Sequence, residues 1–214
     1  MKSIVIGVHL LRENVEPLAE AVSVGDLYLS AFAVADDQPL GDRDLLLKIA
    51  GIRAKLLDAA TFIAIRYGFS FSTADEARSK CAAHVGRWKR VLEANRDNVE
   101  MTLKVAAASP GARPDRRAFS SGAEYLRALH AATQSANVDA SFREATERLI
   151  VPLALRHRWS PRDEKSVELT ALIPRARLDD VKQAGEELRR AAPHVPFLLS
   201  GPWPLEVFAD DDHE

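Results

Sequence analysis

The sequence predicts an α+β protein of two α+β domains, the C-terminal one ferredoxin-like with its first helix expanded into a helical pair. Three observations carry this expectation. The chain opens on a β-branched apolar run of strand length, Ser3 to Leu10. After a second such run the hydrophobic period changes to that of a helix. From Val99 onward the elements follow the order β-(αα)-β-β-α-β, the split βαβ order with one helix added.

The second strand is expected over Leu27 to Val34, closed by the turn-forming run Asp36-Asp37-Gln38-Pro39-Leu40-Gly41. Leu45, Ile49, Ile52 and Leu56 then lie on one face of a helix. Asp42 is placed to cap it, its carboxylate accepting from an amide of the first turn. Phe62 to Arg66 reads as a short buried strand. Ser72 and Thr73 each precede an acid by three residues, Asp75 and Glu76, which is capping-box spacing. The helix they start carries Ala77, Cys81, Val85, Trp88 and Leu92 on one stripe; Gly86 within it suggests a close neighbour or nothing at all.

In the second half, Val99 to Ala107 alternates as a strand. Helices are expected over 121–134, with Tyr125 and Leu129 aligned, and over 138–149, with Phe142, Ala145 and Leu149 aligned. Strands follow over Ile150 to Arg156 and Ser166 to Ile173, separated by a turn at Ser160-Pro161-Arg162-Asp163. A helix from Leu178 to Arg190 and a strand from Val195 to Leu199 complete the pattern. The polar break Asn95 to Asn98 divides the chain into domains 1–96 and 97–208, and 209–214 reads as an acidic tail.

Composition narrows the function. Apolar residues make up 47% of the 214 and charged residues 28%, the balance of a globular protein with a core of its own. A net charge of −2 with no basic stripe argues against a general nucleic-acid binder. The single cysteine, Cys81, cannot form an intramolecular disulfide. The apolar run at the N-terminus is too short to span a membrane, so the cytoplasm is the expected location.

No catalytic constellation emerges. There is no glycine-rich phosphate loop or nucleophile elbow, and the six histidines are scattered singly. Cys81 and His84 could form an activated thiolate, but Cys81 on an apolar stripe reads first as a small core residue. Asp210 to His213 could offer oxygen ligands to a cation, and Arg113-Pro114-Asp115-Arg116-Arg117 could touch phosphate; both read first as solvated segments. No metal or cofactor is expected.

Two segments stand out. In Arg66-Tyr67-Gly68-Phe69-Ser70-Phe71, three aromatics crowd a short connection in which Gly68 can take a positive φ. In Gly201-Pro202-Trp203-Pro204, two prolines hold Trp203 in a stiff extended mount, as a contact hot spot requires. Either aromatic group could instead simply roof the core.

These segments, in this order, resemble the gas vesicle protein GvpL/GvpF family. That family's Leu-Pro-x-Arg-Phe-Gly-Thr-Val-Phe segment is matched here at Arg66, Gly68 and Phe71, with Tyr67 a close substitute. Its Glu-aromatic-x-x-Lys-Val strand is matched by Glu100-Met101-Thr102-Leu103-Lys104-Val105, and a Tyr-Leu helix start by Tyr125-Leu126. Its Gly-Pro-Trp-Pro-Pro-Tyr-Ser-Phe signature is matched at Gly201, Pro202, Trp203, Pro204 and Phe208, but not at Leu205, Glu206 and Val207. The resemblance implies a non-enzymatic accessory protein that binds the hydrophobic major shell protein and keeps it competent for assembly early in vesicle formation. Other gas vesicle accessory proteins would be further partners, and gas vesicles a further location. It casts Arg66, Tyr67, Gly68, Phe71, Glu100 and Lys104 as structural, and Gly201, Pro202, Trp203, Pro204 and Phe208 as partner contacts. The alternative is a small ligand-binding protein or enzyme on a ferredoxin-like scaffold, with His157 and Arg158 near His194 in a pocket.

Overall fold

The computed structural model describes residues 1–16, 18–107, 115–127, 138–163 and 165–209. Its contacts divide the chain into two units, Met1–Glu100 with Pro202–Glu214, and Met101–Gly201. The run from Pro202 onward therefore groups with the first unit, whereas the sequence places it in the second domain.

The first unit holds a five-stranded sheet of β1 (Lys2–His9), β2 (Glu20–Val24), β3 (Leu27–Val34), β4 (Ile63–Ala64) and β5 (Ser70–Phe71). The strand order is β2-β3-β1-β4, with β5 also pairing with β1. Ile4, Val5, Ile6 and Val8 of β1 are all buried, so this strand is covered on both faces, as its unbroken apolar run requires. β2 has no counterpart in the sequence reading. It joins β3 through Gly25-Asp26, with Val24 opposite Leu27 and Gly25 at φ +61°, the two-residue hairpin with glycine at the first turn position.

Helix α1 (Arg43–Ala59) begins as the sequence predicts, with the Asp42 carboxylate accepting from the Leu45 amide at 2.8 Å. The capping box is also present: Thr73 accepts from the Glu76 amide at 3.2 Å, and Glu76 accepts from the Ser72 amide at 2.7 Å. The single helix expected beyond it is two, α2 (Ala74–Cys81) and α3 (Val85–Ala94). The chain turns between them at 82–84, where the His84 amide donates to the Cys81 carbonyl. Cys81, Trp88 and Leu92 are nevertheless all buried. A Cβ on Gly86 would meet only the tip of the Arg90 side chain, so no close neighbour explains this glycine.

A bulge between Val5 and Gly7 interrupts the β1–β3 register. A Cβ on Gly7 would stand 2.3 Å from the Phe62 ring and 2.9 Å from the Ile63 carbonyl oxygen. Phe62 is fully buried and the carbonyl belongs to β4, so neither has room to retreat. Gly7→Ala is expected to destabilise the protein by about 1–3 kcal/mol, read as a lowered urea midpoint with an unchanged slope.

The second unit runs β6 (Asn98–Ala106, whose first three residues belong to the first unit), a described helical stretch α4 (122–127), α5 (Ala140–Leu149), β7 (Arg156–Asp163), β8 (Ser166–Pro174), α6 (Leu178–Ala191) and β9 (Phe197–Trp203, whose last two residues belong to the first unit). Its sheet order is β7-β8-β6-β9. The core gathers Leu103, Phe142, Ile150, Leu169 and Leu188 in one cluster, and Met101, Ile173 and Val181 in another. The remainder of the expected 121–134 helix, including Leu129, lies outside the described residues, as do Arg113 and Pro114 of the arginine-rich loop and 210–214 of the tail.

Three boundaries here differ from expectation. Ile150 to Leu153 is not strand: Pro152 sits in a 3₁₀ turn over Val151–Leu153. The expected turn at 160–163 instead lies within β7, because β7 is an edge strand and Pro161 sits beside a bulge there. β9 starts two residues later than expected and runs through Trp203.

Candidate partner-binding groove

Helix α1 has two faces with different fates. Leu45, Ile49, Leu56 and Leu57 are buried. Leu46, Ala50, Arg53 and Ala54, one helical turn apart, form a second row that lines an open groove together with Ile49, Leu57 and Asp58. Tyr67 and Pro202-Trp203-Pro204 supply the remaining lining, and the cavity measures about 430 Å³. Leu46 remains 42% exposed and Trp203 46%, which leaves large apolar side chains at its edge. All of these residues belong to the first unit.

The walls are held by short-range chemistry. The Tyr67 hydroxyl donates to the Leu40 carbonyl at 2.6 Å, and Gly68 takes φ +94°, a conformation other residues rarely adopt. Trp203 lies between Pro202 and buried Pro204, after Gly201 at φ +127°. Leu205 then anchors the chain by main-chain bonds of 2.9 Å to Phe62 and Ala64. Glu100 adds a second anchor. Its carboxylate, 2% exposed, accepts from the amides of Glu206 and Phe208 at 2.8 Å through Oε1, and of Val207 at 3.1 Å through Oε2. Burial pushes the Glu100 carboxyl above the ordinary carboxylate range, outweighing these three donors.

The groove carries two charged side chains, Arg53 and Asp58. Arg53 donates through Nη2 to the Ile65 carbonyl at 3.3 Å, while its Nε is buried without a hydrogen-bond partner. Burial draws its guanidinium below its usual pKa, and nearby Glu206 opposes that shift. Among the described residues no proton-transfer pair or activated nucleophile lines the cavity. Cys81 is buried in the core, where desolvation raises its thiol pKa, and His84 stacks on Trp88 with ring centroids 5.2 Å apart. His157 and His194 face different carboxylates, Glu147 and Asp139.

The structure brings Tyr67, Pro202, Trp203 and Pro204 together in the groove. It joins Glu100 to Phe208, and Phe208 is buried, so in this fold Phe208 is an anchor rather than a contact surface. Phe71 is a core residue on β5, and Arg66 is exposed at the turn. Lys104 belongs to β6 of the second unit. Sequence reasoning misses Leu46, Arg53 and Asp58; the signal for them is the second row on α1.

A family model described as gas vesicle synthesis protein GvpL/GvpF matches residues 16–209. The chain belongs to this family. Its fold is similar to that of gas vesicle protein GvpF from Microcystis aeruginosa, with a TM-score of 0.71 at 11% identity over 97% of this chain and 98% of that one. GvpF from Anabaena sp. PCC7120 is similar at a TM-score of 0.71 and 13% identity, over 100% of this chain and 98% of that one. No curated protein matches the chain by sequence. Membership fixes a gas vesicle accessory role and the mixed α/β fold of the family. Among the described residues no helix is long and apolar enough to cross a membrane.

Proposed function

We propose that this member of the GvpL/GvpF family acts without catalysis, binding the hydrophobic major shell protein and keeping it competent for assembly early in vesicle formation. The groove between α1 and Trp203 is the observation that carries this reading: an apolar recess edged by half-exposed leucine and tryptophan is suited to an apolar client. A shell protein that buries apolar surface against its neighbours aggregates in water unless that surface is covered first. Other accessory proteins of the vesicle would join the complex, in the cytoplasm and at the growing vesicle.

Co-purification of the tagged full chain with co-expressed shell protein tests the reading. Wild type is expected to retain soluble shell protein. Trp203→Ala is expected to reduce retention by roughly tenfold or more, the scale of losing a central aromatic anchor. A folded wild-type protein that retains no shell protein would remove client holding from its function.

A further inference from the structure

Two features of the groove specify its occupant more closely than its apolar lining does. The first is the wall. Pro202 and Pro204 have no main-chain N–H, and the facing wall is a helix whose amides are satisfied internally. Such a groove offers almost no main-chain bonding to an added strand, so its occupant docks through side chains, as an amphipathic helix does.

The second is Arg53. Its guanidinium is charged at any working pH, yet it sits in an apolar lining with one long bond to a carbonyl and a buried, unpartnered Nε. Exposed Glu206 acts on it through space but lies beyond salt-bridge distance, so the guanidinium has no direct carboxylate contact among the described residues. Holding a cation this way is costly, and a carboxylate brought into the groove would offset the cost. Asp58, on the same helix, is exposed and so keeps its own solvation.

We infer that the groove accepts an apolar helix of a partner protein that bears one carboxylate, and that this carboxylate pairs with Arg53. The inference rests on the reading of the groove as the client site and adds the chemistry by which that client is chosen. In a dry groove a carboxylate opposite Arg53 forms a charge-assisted bond, whereas an amide is weaker and a lysine is repelled.

The test uses the full-length chain and labelled Ala/Leu helical peptides of roughly 20 residues, long enough to hold helix in water. Three peptides differ only at one central apolar-face position, which is Glu, Gln or Lys, and binding is read by fluorescence anisotropy. Wild type is expected to bind the Glu peptide about tenfold more tightly than the Gln peptide, and the Lys peptide least. Arg53→Met keeps the stem and removes the charge, so it should bind Glu and Gln peptides alike. Lys55→Gln, which removes an exposed cation of the same helix outside the groove lining, is the control for folding and net charge and should retain the Glu preference.

Equal binding of Glu and Gln peptides to wild type overturns the inference, and so does a Glu preference that survives Arg53→Met. Self-association of the free chain that Arg53→Met abolishes, read by light scattering, would assign the groove to a second copy and also overturn it. Shell-protein retention is a separate readout: peptide discrimination without retention refutes the client reading and leaves the groove chemistry standing. Retention without discrimination does the reverse.

Discussion

Lowering the pH from 7 to 4 is expected to cost this protein stability through one residue, His9, at about 1.4 kcal/mol per pH unit below the ordinary histidine pKa. His9 ends β1, is fully buried, and stacks on Phe62 with ring centroids 4.8 Å apart. Ser30 Oγ donates to the Gly7 carbonyl, so the 2.9 Å contact with His9 is assigned as Nε2–H donating to Ser30. Nδ1 is then a buried lone pair with no protein partner, and a proton placed there would have no protein acceptor. Burial accordingly lowers the His9 pKa from 6.5 to about 3. Between those values the unfolded chain binds a proton that the folded chain refuses. Stability is therefore complete above the unfolded value and falls as the pH falls toward 3, by roughly 5 kcal/mol in all. His9→Phe keeps the ring and removes the titration. Urea unfolding at pH 7, 5 and 4 should show wild type losing stability relative to this variant; parallel losses in both would refute the assignment.

His9 shows what a sequence hides. An isolated histidine in an apolar run signals burial, but its partner Ser30 is 21 residues away and the ring beneath it 53 residues away, contacts that only the sheet creates. Local chemistry is far more legible. The Asp42 cap, the Thr73–Glu76 box and the positive φ of Gly68 each depend on residues within a few positions, and each stands where the sequence puts it. Gly25-Asp26 marks the β2–β3 turn, but β2 is too short and too polar to declare itself as a strand beside it. Pro161 misleads because a proline reports a missing donor and a fixed φ, not an element type, and here it sits on an edge strand. Pro152, passed over within an expected strand, sits in a 3₁₀ turn.

The groove is half legible. Gly201-Pro202-Trp203-Pro204 announces a rigid aromatic mount by itself, whatever it faces. What it faces requires the fold, because α1 spends its strongest apolar stripe on the core. The weaker row of Leu46, Ala50 and Ala54, with Arg53 inside it, then reads as ordinary helix surface. A row of small and apolar residues interrupted by one arginine becomes informative only when a second wall stands opposite.

That second wall depends on Glu100, and replacing it is expected to have a large effect on stability. Glu100→Leu keeps the position apolar but withdraws the acceptor from three amides at once, including the buried amide of Phe208. Hydrogen bonds of this kind contribute about 0.5–1.5 kcal/mol each, and leaving the buried Phe208 amide unmet costs about 1–3 kcal/mol more, so a loss of roughly 3–5 kcal/mol is expected. For a unit of this size that lowers the melting temperature by more than about 10 °C. Glu100→Gln separates geometry from charge. Its carbonyl oxygen can replace Oε1 and keep two of the three donors, but its NH₂ then meets the Val207 N–H, so an intermediate loss is expected. The pH dependence gives a sharper discrimination. Because burial raises the Glu100 carboxyl, the folded chain keeps a proton that the unfolded chain has already released. This group's contribution is therefore full below the ordinary glutamate pKa and declines as the pH rises through the folded value. The stability gap between wild type and Glu100→Gln should narrow from about pH 4.5 to 7 in urea unfolding. A gap that widens instead would mean that the three donors outweigh burial and that the carboxylate is bound as a preformed anion.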